Sequence, residues 1–474
     1  MSDTNQILTH KYIARIRLKA STALYVGSGE SSFTKDALVQ KDHNDLPMIQ
    51  GTSLAGALRH ALQESGTFSE EELKGIFGYQ TANEGLGSRL KISSAYMLIN
   101  ETQIAEGLNP IIDPKVIEKY ENLPKRQHVR INDKGTADKA NNGLFDNEVV
   151  YKGTRFVFEI ELVGTKEDEN NWKKIIDELN NTFFRIGGNT RNGLGKLEIY
   201  SIYNQVFDLE SEEDLNNYRD FDPSFNADLV FIAQSKTDRI SSATKYTLNL
   251  NLEENFFFIF GSGFSDDDVD NTPVTEEVAV YSTAGITFET QTLIPASSIK
   301  GAISHRTCFH YNSLMKFWAE NGDGKVGVAN NAVREIFGQE ADNETGSKGN
   351  IILDDIYLTE KEVDNNKIFN HVAIDRFTGG AMDGALFSEK VTYIKKEDKG
   401  IKLDIFLTKN NFSKKVLEAF EEALIDICKG HLPLGGMTTK GHGIFTGSLF
   451  KNDIEIFDYN KPKKKSIELE QATI

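Results

Sequence analysis

The chain is written twice, and this tandem repeat limits what it can fold into more than any other feature. Residues 24–29 read LYVGSG and 258–263 read FIFGSG; 49–59 read IQGTSLAGALR and 294–304 read IPASSIKGAIS. IFG occurs at 76–78 and 336–338, HVRI at 128–131 returns as HVAI at 371–374, and GLF at 143–145 returns as ALF at 385–387. IGGNTRNGLG at 186–195 matches LGGMTTKGHG at 434–443. Six landmarks in one order imply two copies of one domain, over about residues 1–205 and 226–474. Between them, residues 206–225 hold seven acids and one arginine. That stretch reads as a solvated linker or a docking strap.

Within each copy the hydrophobic period alternates between that of a strand and that of a helix. Tyr12, Ala14, Ile16, Leu18 and Ala20 alternate with Arg15, Arg17 and Lys19, and Tyr246, Leu248, Leu250 and Leu252 repeat the pattern. A loop rich in Gly, Ser and Asp follows, then a helix on which Leu54, Leu58 and Leu62 recur every four residues. Thr52 or Ser53 is placed to cap that helix, and Ser297 or Ser298 its twin. After a hairpin region come a strand (156–162; 402–407), a second helix (172–184; 413–430), a glycine turn and a last strand (196–202; 443–450). The order predicts an α+β fold. It is two tandem ferredoxin-like, RRM-like βαββαβ modules, each with an inserted β-hairpin. The open face of such a sheet is a common RNA platform.

Charge and cysteine content then narrow the class. Lys plus Arg total 53 and Asp plus Glu 71, a net charge of −18. A globally basic nucleic-acid binder is excluded, but a basic groove on an acidic body is not. Two cysteines, Cys308 and Cys428, make neither a disulfide framework nor a zinc cluster. The first residues lack an apolar signal core, and no apolar run approaches the ~18 residues of a membrane helix. A cytoplasmic protein without a membrane partner is expected.

Four segments carry candidate chemistry. The glycine loops, with Gly187 and Gly188 or Gly435 and Gly436, permit close backbone approach. They read either as tight helix-to-strand turns or as phosphate cradles. Arg185, Arg191 and Lys196 flank the first loop, and Lys440 and His442 lie in the second. The helix starts at Ser53 and Ser298 offer N-terminal amides to an anion, with Arg59, Lys300 and Arg306 nearby, or are plain caps. The hairpin region 123–147 carries Arg126 and Arg130. Its twin, 370–389, carries Arg376, Phe377 and Met382 at a tip that could wedge between bases. The first loop holds Asp36, Asp42 and Asp45.

Taken together, these residues resemble the RAMP superfamily of CRISPR proteins. Each half resembles the backbone subunit of type III, Csm/Cmr-like, effector complexes. The carriers are G-S-G, D-A-L-V-Q-K-D…L-P-M-I-Q-G-T-S-L-A-G-A-L-R, I-F-G, the H-V-R-I hairpin with its G-L-F, and the glycine loop. One chain holding two modules is similar to the fused subunit of the type III-D variant. The resemblance implies that such subunits bind a CRISPR guide RNA (crRNA) and its complementary target RNA. Their hairpin thumbs flip bases, and an Asp of the first loop cuts the target. Implied partners are a large polymerase/cyclase-like subunit and further backbone subunits.

The resemblance places Asp36 on the cutting position. In the second copy the loop is about eleven residues longer. Counting back from the helix puts Glu277 near that position, with Asp266, Asp267, Asp268 and Asp270 as rivals. RNA supplies its own 2′-hydroxyl nucleophile, so alignment plus one carboxylate can suffice. Asp36 would serve as a base or hold a divalent cation, Mg²⁺ or Mn²⁺. Two alternatives stand beside this reading. One is a non-catalytic crRNA-binding subunit. The other is a guide-processing RNase drawing on His60, His305 or His310.

Overall fold

The computed structural model describes residues 7–32, 35–108, 112–131, 143–234, 243–252, 256–261, 266–317, 325–339, 346–395 and 400–461. The chain is a mixed α and β protein that divides into two units. One comprises residues 1–241 with 275–291; the other comprises 242–274 with 292–474. Each has its own apolar core. Among the described residues, no helix is long and apolar enough to cross a membrane.

The elements of the first unit include β1 (His10–Ala20), α1 (Gly51–Glu64), β2 (Leu90–Ile92), β3 (Lys125–Val129), β4 (Leu144–Glu148), β5 (Arg155–Gly164), α2 (Glu169–Leu179), β6 (Leu197–Asp208) and α3 (Glu212–Arg219). Four strands of its six-stranded sheet run β6-β1-β5-β2, every pair antiparallel. Tyr12, Ala14, Ile16, Leu18 and Ala20 face the core, as their period requires. Leu54, Leu58 and Leu62 of α1 are buried, each stabilising by about 1.5–3 kcal/mol. The cap differs from expectation. The helix starts at Gly51 after an extended Gln50, so Thr52 and Ser53 lie inside its first turn.

The acidic stretch 206–225 is structured. It completes β6, forms α3 and turns back over the outer face of the sheet. Fully buried Arg15 donates to the Ser224 carbonyl and to the Asp222 carbonyl. Its guanidinium lies 4.8 Å from the Phe221 ring, and that of Arg17 lies 3.8 Å from Phe231. A strand that alternates apolar and cationic residues therefore has both faces covered. In this unit the outer face is a packing surface for the strap, not an open RNA platform.

The second half of the chain contains β7 (Thr244–Asn251), β8 (Thr275–Ser282), β9 (Gly285–Ile294), α4 (Ala296–Met315), β10 (Ile351–Leu353), β11 (Val363–His371), β12 (Phe387–Ile394), β13 (Ile401–Leu407), α5 (Lys414–Cys428) and β14 (Thr446–Lys451). The sheet of the second unit repeats the order in its strands β14-β7-β13-β10, again antiparallel. Pro295 precedes α4, and Ser297 and Ser298 are inside it. Residues 275–291, the β8–β9 hairpin, belong with the first unit. There Ala279 N donates to the Lys152 carbonyl at 2.8 Å, and the Tyr281 hydroxyl to the Leu98 carbonyl at 3.0 Å.

Candidate functional site

Each unit builds the same three-part arrangement: a loop with an exposed aspartate, the base of a two-stranded hairpin, and the glycine loop. Gly27 bridges Val39 and Gly261 bridges Pro273, closing two first loops of equal length. Ten residues separate Val39 from Ile49 and twenty-one separate Pro273 from Ile294, so all eleven extra residues fall after the loop, in the β8–β9 hairpin.

That register decides which acid of the second copy corresponds to Asp36. Ala37 makes a parallel bridge to Asn147 on β4, and Asn271 makes one to Glu389 on β12. The residue just before each bridge is Asp36 or Asp270. Asp36 Oδ2 accepts from the Asp146 N–H at 2.9 Å, while the Asp36 N–H donates to Asp146 Oδ1 at 3.0 Å. Asp270 Oδ2 accepts from the Ser388 N–H at 2.8 Å and the Ser388 hydroxyl at 3.0 Å. Both carboxylates remain exposed. The backbone N–H of Ser388, and then its hydroxyl, hold the Asp270 carboxyl below its usual range, so it stays ionised. Asp268 is exposed and its N–H donates to Asp266 Oδ1. Glu277 lies elsewhere, on β8, where the Lys119 ammonium donates to both its oxygens at 2.7 Å. Counting from the helix carried the extra hairpin into the count. Counting nine residues forward from Gly27 and from Gly261 reaches Asp36 and Asp270 directly.

A salt bridge clamps each loop to its hairpin, with the charges exchanged. Lys35 Nζ meets Glu148 Oε1 at 2.5 Å in the first unit, and Asp266 pairs with Lys390 in the second. Behind the loops, the glycine turns are packing devices. Gly188 N–H donates to the Tyr25 carbonyl at 2.8 Å, and Gly436 N–H to the Ile259 carbonyl at 2.7 Å. Gly187 and Gly435 have φ of +92° and +102°, and a Cβ there would lie 2.0 Å from Tyr25 O or 2.4 Å from Ile259 O. Those two amides are consumed inside the fold, so the tight-turn reading holds for them and the phosphate cradle does not.

The predicted cations separate into two groups. Arg126 is buried and makes a two-point pair with Glu276 at 2.8 and 2.7 Å. Arg306 pairs at 2.6 Å with buried Asp426, which also takes His310 Nε2 at 2.7 Å. Both are structural ties, as is His310. Arg59 makes an exposed pair with Glu70 at 3.5 Å. Arg185 and Arg191 are half-buried, and burial depresses the Arg191 guanidinium below its ordinary value. Arg130, Arg376 and Lys440 are exposed, Lys440 lying 6.0 Å from the Phe387 ring. Lys300 is half-buried, while Ser298, His60 and His305 are exposed. The α4 start already holds a carboxylate, since Ala296 N–H donates to buried Asp355 at 2.8 Å. The tip at 132–142 and the second-copy glycine at 263 lie outside the described residues. The other hairpin tip is apolar and bare: Phe377 is 99% exposed, Leu386 71% and Ile374 62%.

What sequence reasoning missed is a cluster below Asp270. Glu389, with no exposure, accepts from His371 Nε2 and His442 Nε2, both at 2.9 Å on the same Oε1. His442 is 3% exposed, and its ring stands edge-on to Phe257 at 4.6 Å. No local pattern signals this, because the three residues come from three separate segments.

The donor sets bear on a divalent cation. Among the described residues, no group of three His, Cys, Asp or Glu, the Glu389 cluster included, is arranged to hold a metal ion. Each loop instead offers one exposed carboxylate with one oxygen tied to backbone. That fits a hard cation which keeps most of its ligands as water and substrate oxygens, not one caged by protein.

A family model, "RAMP superfamily", matches residues 17–198 and 259–446, most of both units. No curated protein matches the chain. Among solved structures, one chain from "Type III-B Cmr-beta Cryo-EM structure of the Apo state" is 16% identical. The match covers 40% of this chain and 96% of that one, with a TM-score of 0.32.

Proposed function

Because the chain belongs to the RAMP superfamily, we propose that it is a double backbone subunit of a type III CRISPR ribonucleoprotein. In this reading it binds crRNA and target RNA and cuts the target once per unit, with Asp36 and Asp270. The two sheets are ferredoxin-like modules, the hairpins are their thumbs, and the fusion is of the type III-D variant kind. Its partners are further backbone subunits and a large polymerase/cyclase-like subunit, in the cytoplasm.

The observation that carries this reading is the duplicated aspartate. Two exposed carboxylates stand nine residues after corresponding glycines, and each is tied to the foot of its hairpin. A structural loop has no need to hold the same acid in solvent twice. Exposed Phe377 at a hairpin tip is suited to insert between stacked bases. Displacing a base kinks the strand and swings one 2′-hydroxyl toward alignment with its phosphate, and positioning of that kind lowers the barrier. Each Asp, fixed by a backbone N–H on one oxygen, presents its other oxygen at that point. Asp36 and Asp270 would hold Mg²⁺ or Mn²⁺, which when bound offsets charge on the scissile phosphate. Arg130, Arg376 and Lys440 are exposed and would meet the RNA backbone in this reading.

The test uses the assembled complex with guide and matched target. Asp36→Ala and Asp270→Ala are each expected to slow a distinct subset of cuts by about a hundredfold or more while guide retention is unchanged. Intact cutting by the double variant would leave a binding-only subunit.

A further inference from the structure

The two units differ in what lies beneath the aspartate. In the second, buried Glu389 receives two imidazoles on one oxygen. In the first, the corresponding positions are Asn147, by its bridge to Ala37, Leu194, by the glycine-loop match, and His128, by the repeated HV motif. Leu194 cannot donate or accept a proton, and the His128 ring lies against Phe145, centroids 5.0 Å apart.

Both imidazoles meet Glu389 through Nε2, so each ring that donates to the carboxylate carries its proton there. That fixes Nδ1 of His371 as the basic nitrogen. The His371 side chain is 37% exposed, whereas His442 is sealed in at 3%. Only His371 can therefore meet a substrate; His442 and Glu389 hold it. Among the described residues, Glu389 Oε2 and His442 Nδ1 have no hydrogen-bond partner. A proton taken by His371 makes an imidazolium–carboxylate pair with Glu389, the arrangement that stabilises a transient imidazolium in a hydrolytic triad.

Placement supports a shared centre. Asp270 bonds Ser388 from one side of β12, and Asn370 and His371 pair with Ser388 and Phe387 from the other. Two strand spacings put the Asp270 and His371 backbones about 10 Å apart, room for one phosphodiester and its ribose.

We propose that His371 is the proton acceptor of the second cleavage centre, with Glu389 and His442 as its positioning residues; this rests on the reading that Asp270 marks that centre. In the step, the 2′-oxygen–phosphorus bond forms as the phosphorus–5′-oxygen bond breaks. The 2′-hydroxyl proton goes to His371 Nδ1, and the departing 5′-oxygen takes a proton from water. The products are a 2′,3′-cyclic phosphate and a 5′-hydroxyl, and His371 returns its proton to solvent. The first centre works without this relay.

Single-turnover cutting by the full complex tests the assignment. Asp270→Ala first identifies the cuts of the second unit. His371→Ala should slow those cuts at least tenfold, leave the Asp36-dependent cuts unchanged, and be partly restored by added imidazole, which a merely structural loss would not be. Glu389→Gln should slow the same cuts without imidazole rescue. His128→Ala should show no rescue at the first unit's cuts. Normal Asp270-dependent cutting in His371→Ala, or a loss that imidazole leaves untouched, overturns the proposal. If Asp270→Ala itself changes no cut, the reading of Asp270 falls instead.

Discussion

The first loop of one unit and the first loop of the other solve one problem with different residues. Both close at a glycine bridge and both hold an aspartate at the hairpin foot. Yet the clamp is Lys35 with Glu148 in one and Asp266 with Lys390 in the other, so the charges have changed sides. The layer beneath differs more: Asn147, Leu194 and a half-buried His128 against Glu389, His442 and a His371 whose ring meets the buried carboxyl. Attraction between opposite charges does not depend on which strand carries which sign, so the clamp is free to invert. The position of the Asp is dictated by backbone hydrogen bonds, which leave less freedom.

The largest stability contrast is expected at low pH. Burial, and after it the nearby Arg126 charge, depress His128 to about 4. Its folded value lies below its unfolded value near 6.5. The folded state is therefore at full advantage above pH 6.5 and loses up to about 3 kcal/mol as pH falls to 4. Thermal melts of the full chain at pH 7 and pH 4 should show this drop, and His128→Phe should remove most of it.

Exchanging the clamp probes the comparison more finely. Lys35→Glu alone leaves the nearly buried Glu148 facing a like charge and should cost about 2 kcal/mol in urea unfolding. Adding Glu148→Lys, which copies the sign pattern of the second unit, should recover about half. Recovery is partial because Glu148 Oε2 also accepts the Val39 N–H at 2.9 Å. A double variant as weak as the single one would show that the two clamps are not equivalent. The smallest effect belongs to Arg59→Ala. Its exposed 3.5 Å pair with Glu70 is worth no more than about 0.5 kcal/mol, so the midpoint should barely move.

Much of the fold was legible because its signals are local. The period-two runs at Tyr12–Ala20 and Tyr246–Leu250, and the four-residue spacing of Leu54, Leu58 and Leu62, appear as a buried strand face and a buried helix face. Glycine at 187 and 435 was legible as necessary, though not for its reason, which is a neighbouring carbonyl and not a phosphate. The cations were the poorest guide. Arg126 and Arg306 look like Arg130 and Arg376 in the sequence, but the first two answer acids 150 and 120 residues away. The caps also moved, because an extended Gln50 or Pro295 starts each helix earlier than its serine.

By itself the sequence determined the duplication and the alternation of strand and helix, since each is a property of contiguous chain. Only the tertiary structure decided that Asp270 and not Glu277 matches Asp36, and that Glu389 collects two histidines. Those facts depend on where an eleven-residue insertion is absorbed and on which distant segments share one hairpin foot. Hydrogen-bond register settles both, and register is not written in any single stretch of residues.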